Sequence, residues 1–168
     1  MKVRTTFLLF SLVAIPLKAW SALQTMPFIA PYATPKYSQL DHLPYANVQA
    51  PKGGELTRAV IGNFDNLNSM NGRGTAVEGT NYLFDSLMSS SLDEPAVMYP
   101  LLAEKVSYDP KNFNAIIFHL NPKARFSDGS LVTAADVKFS FDIFQSKSKF
   151  GLQMYLSDLV KTEVLSKY

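Results

Sequence analysis

The chain has 168 residues, 16 of them basic and 14 acidic, a formal net charge of +2 and no cysteine. The absence of thiols excludes a disulfide-pinned mini-domain, a cysteine nucleophile and a thiolate metal site. The basic residues form no cluster of the kind that nucleic-acid binding requires.

The first 21 residues read as an export signal. Lys2 and Arg4 precede a mainly apolar run over 5–17, and Ala19 and Ser21 are small residues two apart. That is the pattern of a secretory signal peptide, cut after Ser21 or Ala22. The run is short for a membrane span; an uncut signal anchor is the alternative. Removing Lys2, Arg4 and Lys18 leaves 13 basic residues against 14 acidic ones, a charge of −1, so the positive excess belongs to the leader. With no cysteine available for a lipid anchor, the product is expected to be released, most simply into a bacterial periplasm. Residues 22–168 suffice for one domain with its own core.

Residues 22–51 carry Pro27, Pro31, Pro35, Pro44 and Pro51, too many for a helix or a central strand. Met26, Phe28, Ile29, Tyr32, Tyr37 and Tyr45 make the stretch too apolar for a free linker. It is predicted to be an extended segment laid over a domain surface, its tyrosines packed or touching a peptide or sugar. After a turn at 51–54, Leu56, Val60 and Ile61 predict a strand over 55–61, broken by Gly62. The loop that follows places Asn63, Phe64 and Asp65 at the C-terminal end of that strand, which makes them the candidate ligand contacts; a structural turn is the competing reading. Gly72-Arg73-Gly74 lacks the glycine spacing of a dinucleotide fingerprint.

A helix is predicted over 77–90, with Leu83, Phe84, Leu87 and Met88 on its buried side and Gly79 weakening its start. Asp93-Glu94-Pro95 ends it. A turn or helical piece at 100–105, a short strand at 106–108 and a turn at 109–112 follow. Residues 113–120, FNAIIFHL, are the best strand. Both faces are largely apolar, which predicts a sheet covered on both sides. The stretch 123–145 then reads as a tight Asp128-Gly129 turn feeding a capped helix. Thr133 is its N-cap, and Asp136 returns the bond three residues later and places a charge in the first turn. Val137, Phe141 and Phe144 share one face, widened by Phe139 and Ile143, so this helix is expected to be mostly buried. A short helix over 152–159 and a weak strand over 161–168 complete the chain.

Catalytic signals are thin. His42 and His119 are the only histidines, and neither has a second ligand at metal-site spacing. No nucleophile elbow is present, and nothing sets a separation for Asp65 with Glu78 or Asp93 as a glycosidase pair. The expectation is a non-catalytic binding protein without metal or cofactor.

Four ordered pieces carry a family likeness: APKGGELTRAVIGNFDNLNSMN at 50–71, YLFDSLMSSSLDEP at 82–95, PLLAEKVSYDP at 100–110, and IIFHLNPKARFSDGSLVTAADVKFSFD at 116–142. Over roughly 35–168 the chain resembles the N-terminal portion of the bacterial extracellular solute-binding proteins of family 5. This is the oligopeptide/dipeptide class, and the likeness is closest to the branch of oligopeptide and microcin C uptake. The resemblance implies an α/β fold of the periplasmic-binding-protein type II, a two-lobed clamp of which only the first part of lobe one is present. On that reading 1–21 is signal peptide, 22–51 an extended N-terminal segment and 52–168 a partial, apparently truncated lobe. It implies no enzymatic activity. It also implies capture of short peptides or peptide-like ligands in the periplasm and delivery to a membrane-embedded ABC permease and its ATPase, with no nucleic-acid partner. It makes 123–145 scaffold and brings the loop after 55–61 near the cleft. Phe113, Asn121 and Ser127 depart from the Trp, Arg and His common in the family. Two alternatives stand beside it: a truncated or split-gene remnant completed by a separately encoded remainder, and an envelope interaction protein.

Overall fold

The computed structural model describes residues 23–38, 42–70, 73–147 and 150–168; the predicted signal segment lies outside the described residues. The elements are β1 (Gln24–Met26), a 3-10 turn (Thr80–Leu83), β2 (Met88–Ser91), β3 (Glu94–Pro100), β4 (Ala103–Asp109), β5 (Asn112–Leu120), α1 (Ala134–Lys147) and α2 (Phe150–Tyr155). They form a three-stranded sheet in the order β1-β4-β5 and a two-stranded sheet of β2 and β3. All pairings are antiparallel.

The central strand is β4. Ala103, Val106 and Tyr108 are fully or almost fully buried and join Met88 and Leu120 in the core. Val106 lies opposite Phe118 and Tyr108 opposite Ile116, so the β4–β5 hairpin sets apolar residues side by side. The Tyr108 ring also stacks on Phe113, with centroids 5.1 Å apart. Ser107, buried between these apolar neighbours, is satisfied on both sides: its hydroxyl lies 2.7 Å from Thr25 Oγ1 and 2.8 Å from His119 Nε2. His119 is thus a partly buried partner of the sheet.

The segment read as irregular over 22–51 contains a strand. Gln24–Met26 pairs with Tyr108–Val106. Ile29 then exchanges two backbone hydrogen bonds of 2.9 Å with Met98 of β3. Prolines on either side limit this pairing to a few residues at an edge, where proline is tolerated.

Three further expectations are corrected. The helix predicted over 77–90 is a single 3-10 turn followed by β2. Gly79 precedes the turn in the left-handed region and Phe84 follows it in extended conformation, so the helix cannot propagate in either direction. Met88 is buried because it lies opposite Pro100 in the β2–β3 hairpin, and Asp93-Glu94 forms the turn and start of β3 rather than a helix end. The strand predicted over 55–61 does not form: this stretch has no ladder, and Leu56, Val60 and Ile61 are exposed. Alternation specifies a strand only where a neighbour offers an edge. The strand predicted over 161–168 is likewise absent. Instead the Lys167 carbonyl accepts a 2.9 Å bond from the Ala134 amide at the start of α1. Tyr168 packs on the core.

The helix itself begins as predicted, but it is not buried. No residue of α1 is buried. Ala134 and Val137 reach the core, whereas Phe139 is 66% exposed. Nor is β5 covered on both faces, since its first five residues are exposed. One three-stranded sheet and one short second helix cannot surround a helix that is apolar over most of its girth. At its start, the Asp136 carboxylate accepts bonds from the Thr133 amide at 2.8 Å and the Thr133 hydroxyl at 2.6 Å. The return bond of a capping box is therefore made, while the threonine hydroxyl is turned to the carboxylate instead of the helix amides. The hydroxyl, then the amide, hold the Asp136 carboxyl below its ordinary range.

Asp136→Ala should cost about 1 kcal/mol at neutral pH, the size of a lost cap. A carboxyl with a depressed folded-state pKa stabilises above its unfolded value and loses that contribution as pH falls. Urea unfolding of both chains should therefore show a gap at pH 7 that closes below about pH 4. A gap independent of pH would show that the carboxylate does not act as the cap.

Candidate functional site

The loop over 63–77 is built by its own backbone. The Asp65 amide donates to the Thr75 carbonyl at 3.1 Å, and the Thr75 amide returns a 2.7 Å bond to Asp65 Oδ1. Asn66 and Ala76 form a parallel bridge. Asn66 Nδ2 donates to the Arg73 carbonyl at 2.7 Å, and the Asn68 amide donates to Asn66 Oδ1 at 2.6 Å. Gly74 is required by the contact with Asp65. It has φ +66°, and a Cβ there would lie 2.2 Å from Asp65 Oδ1. Asp65, Asn66, Arg73 and Gly74 line an open surface cavity of about 320 Å³.

Of the three predicted contacts, the structure brings only Asp65 to this cavity. Asn63 and Phe64 are exposed beside it. None of the three sits at a strand end, since 55–61 is unpaired. Asn66, Arg73 and Gly74 were not singled out as site residues. The alternation of Asn66 and Asn68, each with a side chain that closes a local turn, is the signal that marks this loop as self-folded.

A second cluster draws Tyr37 from the tyrosines of 22–51 read as packed or touching a peptide or sugar, while its carboxylates have no counterpart among the predicted ligand contacts. The turn of the β2–β3 hairpin presents Asp93 and Glu94 to the N-terminal segment. The Tyr37 hydroxyl donates to Asp93 Oδ2, and Ser91 Oγ donates to Asp93 Oδ1 at 2.5 Å. Lys36 Nζ lies 3.9 Å from the same carboxylate. Glu94 is buried and accepts the Tyr99 hydroxyl at 2.5 Å and the Lys36 amide at 3.0 Å. The Tyr37 amide in turn donates to the Tyr99 hydroxyl at 3.2 Å. Tyr37 and Tyr99 stand with ring centroids 6.1 Å apart, tilted by 39°.

The electrostatics follow from these bonds. Asp93 lies below the ordinary carboxylate range, first because of Ser91 and then Tyr37. Tyr37 is pushed up to about 12, first by its bond to Asp93, then by burial and by the charges of Asp93 and Glu94. Burial and then the bond to Glu94 raise Tyr99. None of this resembles a general acid–base pair poised near neutrality. Among the described residues no group of three or more His, Asp or Glu side chains is placed to hold a metal, and no helix is long and apolar enough to cross a membrane.

Two outcomes test the two clusters. Gly74→Ala should open the loop: a non-glycine residue in this backbone region costs roughly 1–3 kcal/mol, and the Asp65–Thr75 bond is lost to the clash. Hydrogen exchange should show the Thr75 amide losing about tenfold or more in protection; unchanged protection would rule out the close contact. Asp93→Asn should bring the Tyr37 phenol down toward 10, as read from its ring resonances in an NMR titration against a Tyr37→Phe reference. A phenol that stays near 12 would mean that Asp93 is not what holds it.

With the geometry in place, comparison with known proteins supplies the lineage. Residues 97–168 match the family model "Bacterial extracellular solute-binding proteins, family 5 Middle". The protein YejA of Escherichia coli strain K12 is 37% identical over 148 residues, which are 88% of this chain and 24% of that protein. A protein of Agrobacterium fabrum named "Peptidoglycan-binding protein YepA" is 37% identical over 165 residues, 92% of this chain and 27% of its own length. A second from the same organism, "Probable peptide-binding protein YejA", is 40% identical over 124 residues, 74% of this chain and 20% of its own length. The chain thus spans about a quarter of the length of the curated relatives it matches. By the family match over β3 to the C-terminal segment, and by these relatives, the chain belongs to the bacterial extracellular solute-binding proteins of family 5.

Proposed function

We propose that the chain is the first part of a periplasmic receptor for oligopeptides or peptide-like compounds, exported by the signal at 1–21. In this reading the described elements are scaffold of the first lobe of a type II two-lobed clamp. Ligand is captured between the lobes and passed to a membrane-embedded ABC permease and its ATPase. No chemistry is performed on it. The observation that carries the reading is the family match over 97–168, together with the peptide-binding name of a relative 40% identical over most of the chain. The relative named for peptidoglycan binding is in keeping with a peptide-like ligand.

Asn63, Phe64 and Asp65 remain the proposed ligand contacts of this lobe. Asp65 also holds the loop, and exposed Asn63 and Phe64 meet the ligand beside it. Phe139, Val160 and Leu165 are exposed apolar side chains that favour completion by further polypeptide, in the same chain or encoded separately. Clamp closure needs a second lobe, so an isolated copy of this chain is a weak binder.

The test is titration calorimetry with mixed tri- to pentapeptides. It is run on the chain alone and on the chain combined with the part of the Escherichia coli relative that it does not cover. Binding by the combination and not by the chain alone is expected. The paired variant Asn63→Ala, Phe64→Ala should weaken it about tenfold, or about 1.4 kcal/mol. Binding unaffected by the variant would move the contacts elsewhere, and no binding by a folded combination would sink the receptor reading.

A further inference from the structure

The cavity between the N-terminal segment and the β2–β3 hairpin is separate from the loop at 63–77. Its volume is about 300 Å³, the lower end of the range for small-ligand pockets. Among the described residues its walls include the rings of Tyr37 and Tyr99 with Pro100 and Leu101, and His42 and Ser90 contribute polar groups. The two rings are tilted toward each other at 39° with centroids 6.1 Å apart.

The charge behind those rings decides what the cavity favours. Each phenol donates its proton to a carboxylate, Tyr37 to Asp93 and Tyr99 to Glu94. A phenol that donates to an anion has a more electron-rich ring, and a ring face already attracts cations through its quadrupole. The two carboxylates are adjacent in sequence and face one ammonium, Lys36, which sits 3.9 Å from Asp93 with its side chain 58% exposed. Buried Glu94 is met by two uncharged donors, the Tyr99 hydroxyl and the Lys36 amide. Its partners are therefore dipoles, and among the described residues no ion pair is formed with it. Tyr37 is raised first by its bond to Asp93, and Tyr99 first by burial and then by its bond to Glu94, with the carboxylate charges adding to both.

We infer that this cavity binds a small organic cation, a guanidinium or alkylammonium group, on the faces of Tyr37 and Tyr99 in the field of Asp93 and Glu94. Arginine is the better fit of the two common side chains, because its planar guanidinium stacks on aromatic rings and is weakly hydrated. The inference does not depend on the receptor reading, since the lining residues named here belong to the described chain.

The experiment uses the full chain and three probes: N-acetyl-arginine amide, N-acetyl-lysine amide and the uncharged N-acetyl-norleucine amide. Tyr37 and Tyr99 ring resonances are followed by NMR during titration. Arginine amide should shift both rings and bind at least fivefold more tightly than norleucine amide, with lysine amide between them. Its affinity should fall as salt is raised, because the carboxylate field is partly exposed. Equal affinity for the uncharged probe would make this an apolar pocket and overturn the inference, and that comparison needs no variant. Tyr37→Leu keeps an apolar wall but removes a π face. It should weaken arginine amide about fivefold and leave norleucine amide unchanged. Ser90→Trp, at an exposed position of β2, should fill the cavity and abolish binding. Undiminished arginine binding in either folded variant would also overturn the inference.

Discussion

The structure depends on the burial of one strand on both of its faces. β4 carries Val106, Ser107 and Tyr108 in succession, all of them buried. Consecutive residues of a strand point to opposite sides, so β4 needs cover above, below and along both edges. β5 takes one edge through a tight hairpin and β1 takes the other. The single polar residue of the trio, Ser107, bonds to side chains from both flanking strands. Losing both neighbours would strand a buried hydroxyl, at a cost of about 1–3 kcal/mol.

That requirement explains the course of the N-terminal segment. Having completed the sheet beside β4, the chain crosses to β3 at Ile29, and the Ala30 amide donates to the Tyr108 hydroxyl at 3.2 Å. It then meets the hairpin turn through Lys36 and Tyr37, and Tyr45 follows at Ser91. A proline-rich segment suits the task, because its extended conformation is preset and little chain entropy is lost on docking. The contacts of this segment are made mainly by tyrosine hydroxyls and main-chain amides, and they add to the apolar layer in which Met88 of one small sheet packs with Ala103, Val106, Tyr108 and Leu120 of the other.

Local chemistry was legible in the sequence wherever neighbouring residues suffice to determine it. The Asp128-Gly129 turn forms as read, with Ser130 bonded to the Asp128 carboxylate through both amide and hydroxyl. The start of α1 and the strand over 112–120 also form. Errors arose where a distant partner decides. Leu87 and Met88 fit a helix face by spacing, but the edge of β3 turns 88–91 into a strand. Residues 55–61 have strand character without a strand to join. Gln24–Met26 is a strand because β4 is there to receive it. The aromatic–carboxylate cluster was hidden for the same reason: Tyr37 is far in sequence from Asp93 and Tyr99 and meets them only once the segment docks.

The two candidate sites differ in how their carboxylates are used. Asp65 is engaged by the backbone of its own loop, and its geometry demands a glycine opposite. A carboxylate that closes a turn in this way is committed to the fold, and recognition by that loop falls to the exposed groups it positions. Asp93 and Glu94 are also engaged, but their partners are phenols whose rings line a cavity. There the hydrogen bonds carry negative charge onto a surface that a guest can touch. A carboxylate is thus structural at one site, while at the other, beside a backbone amide and a serine hydroxyl, it also takes an aromatic hydroxyl that links its charge to a cavity wall.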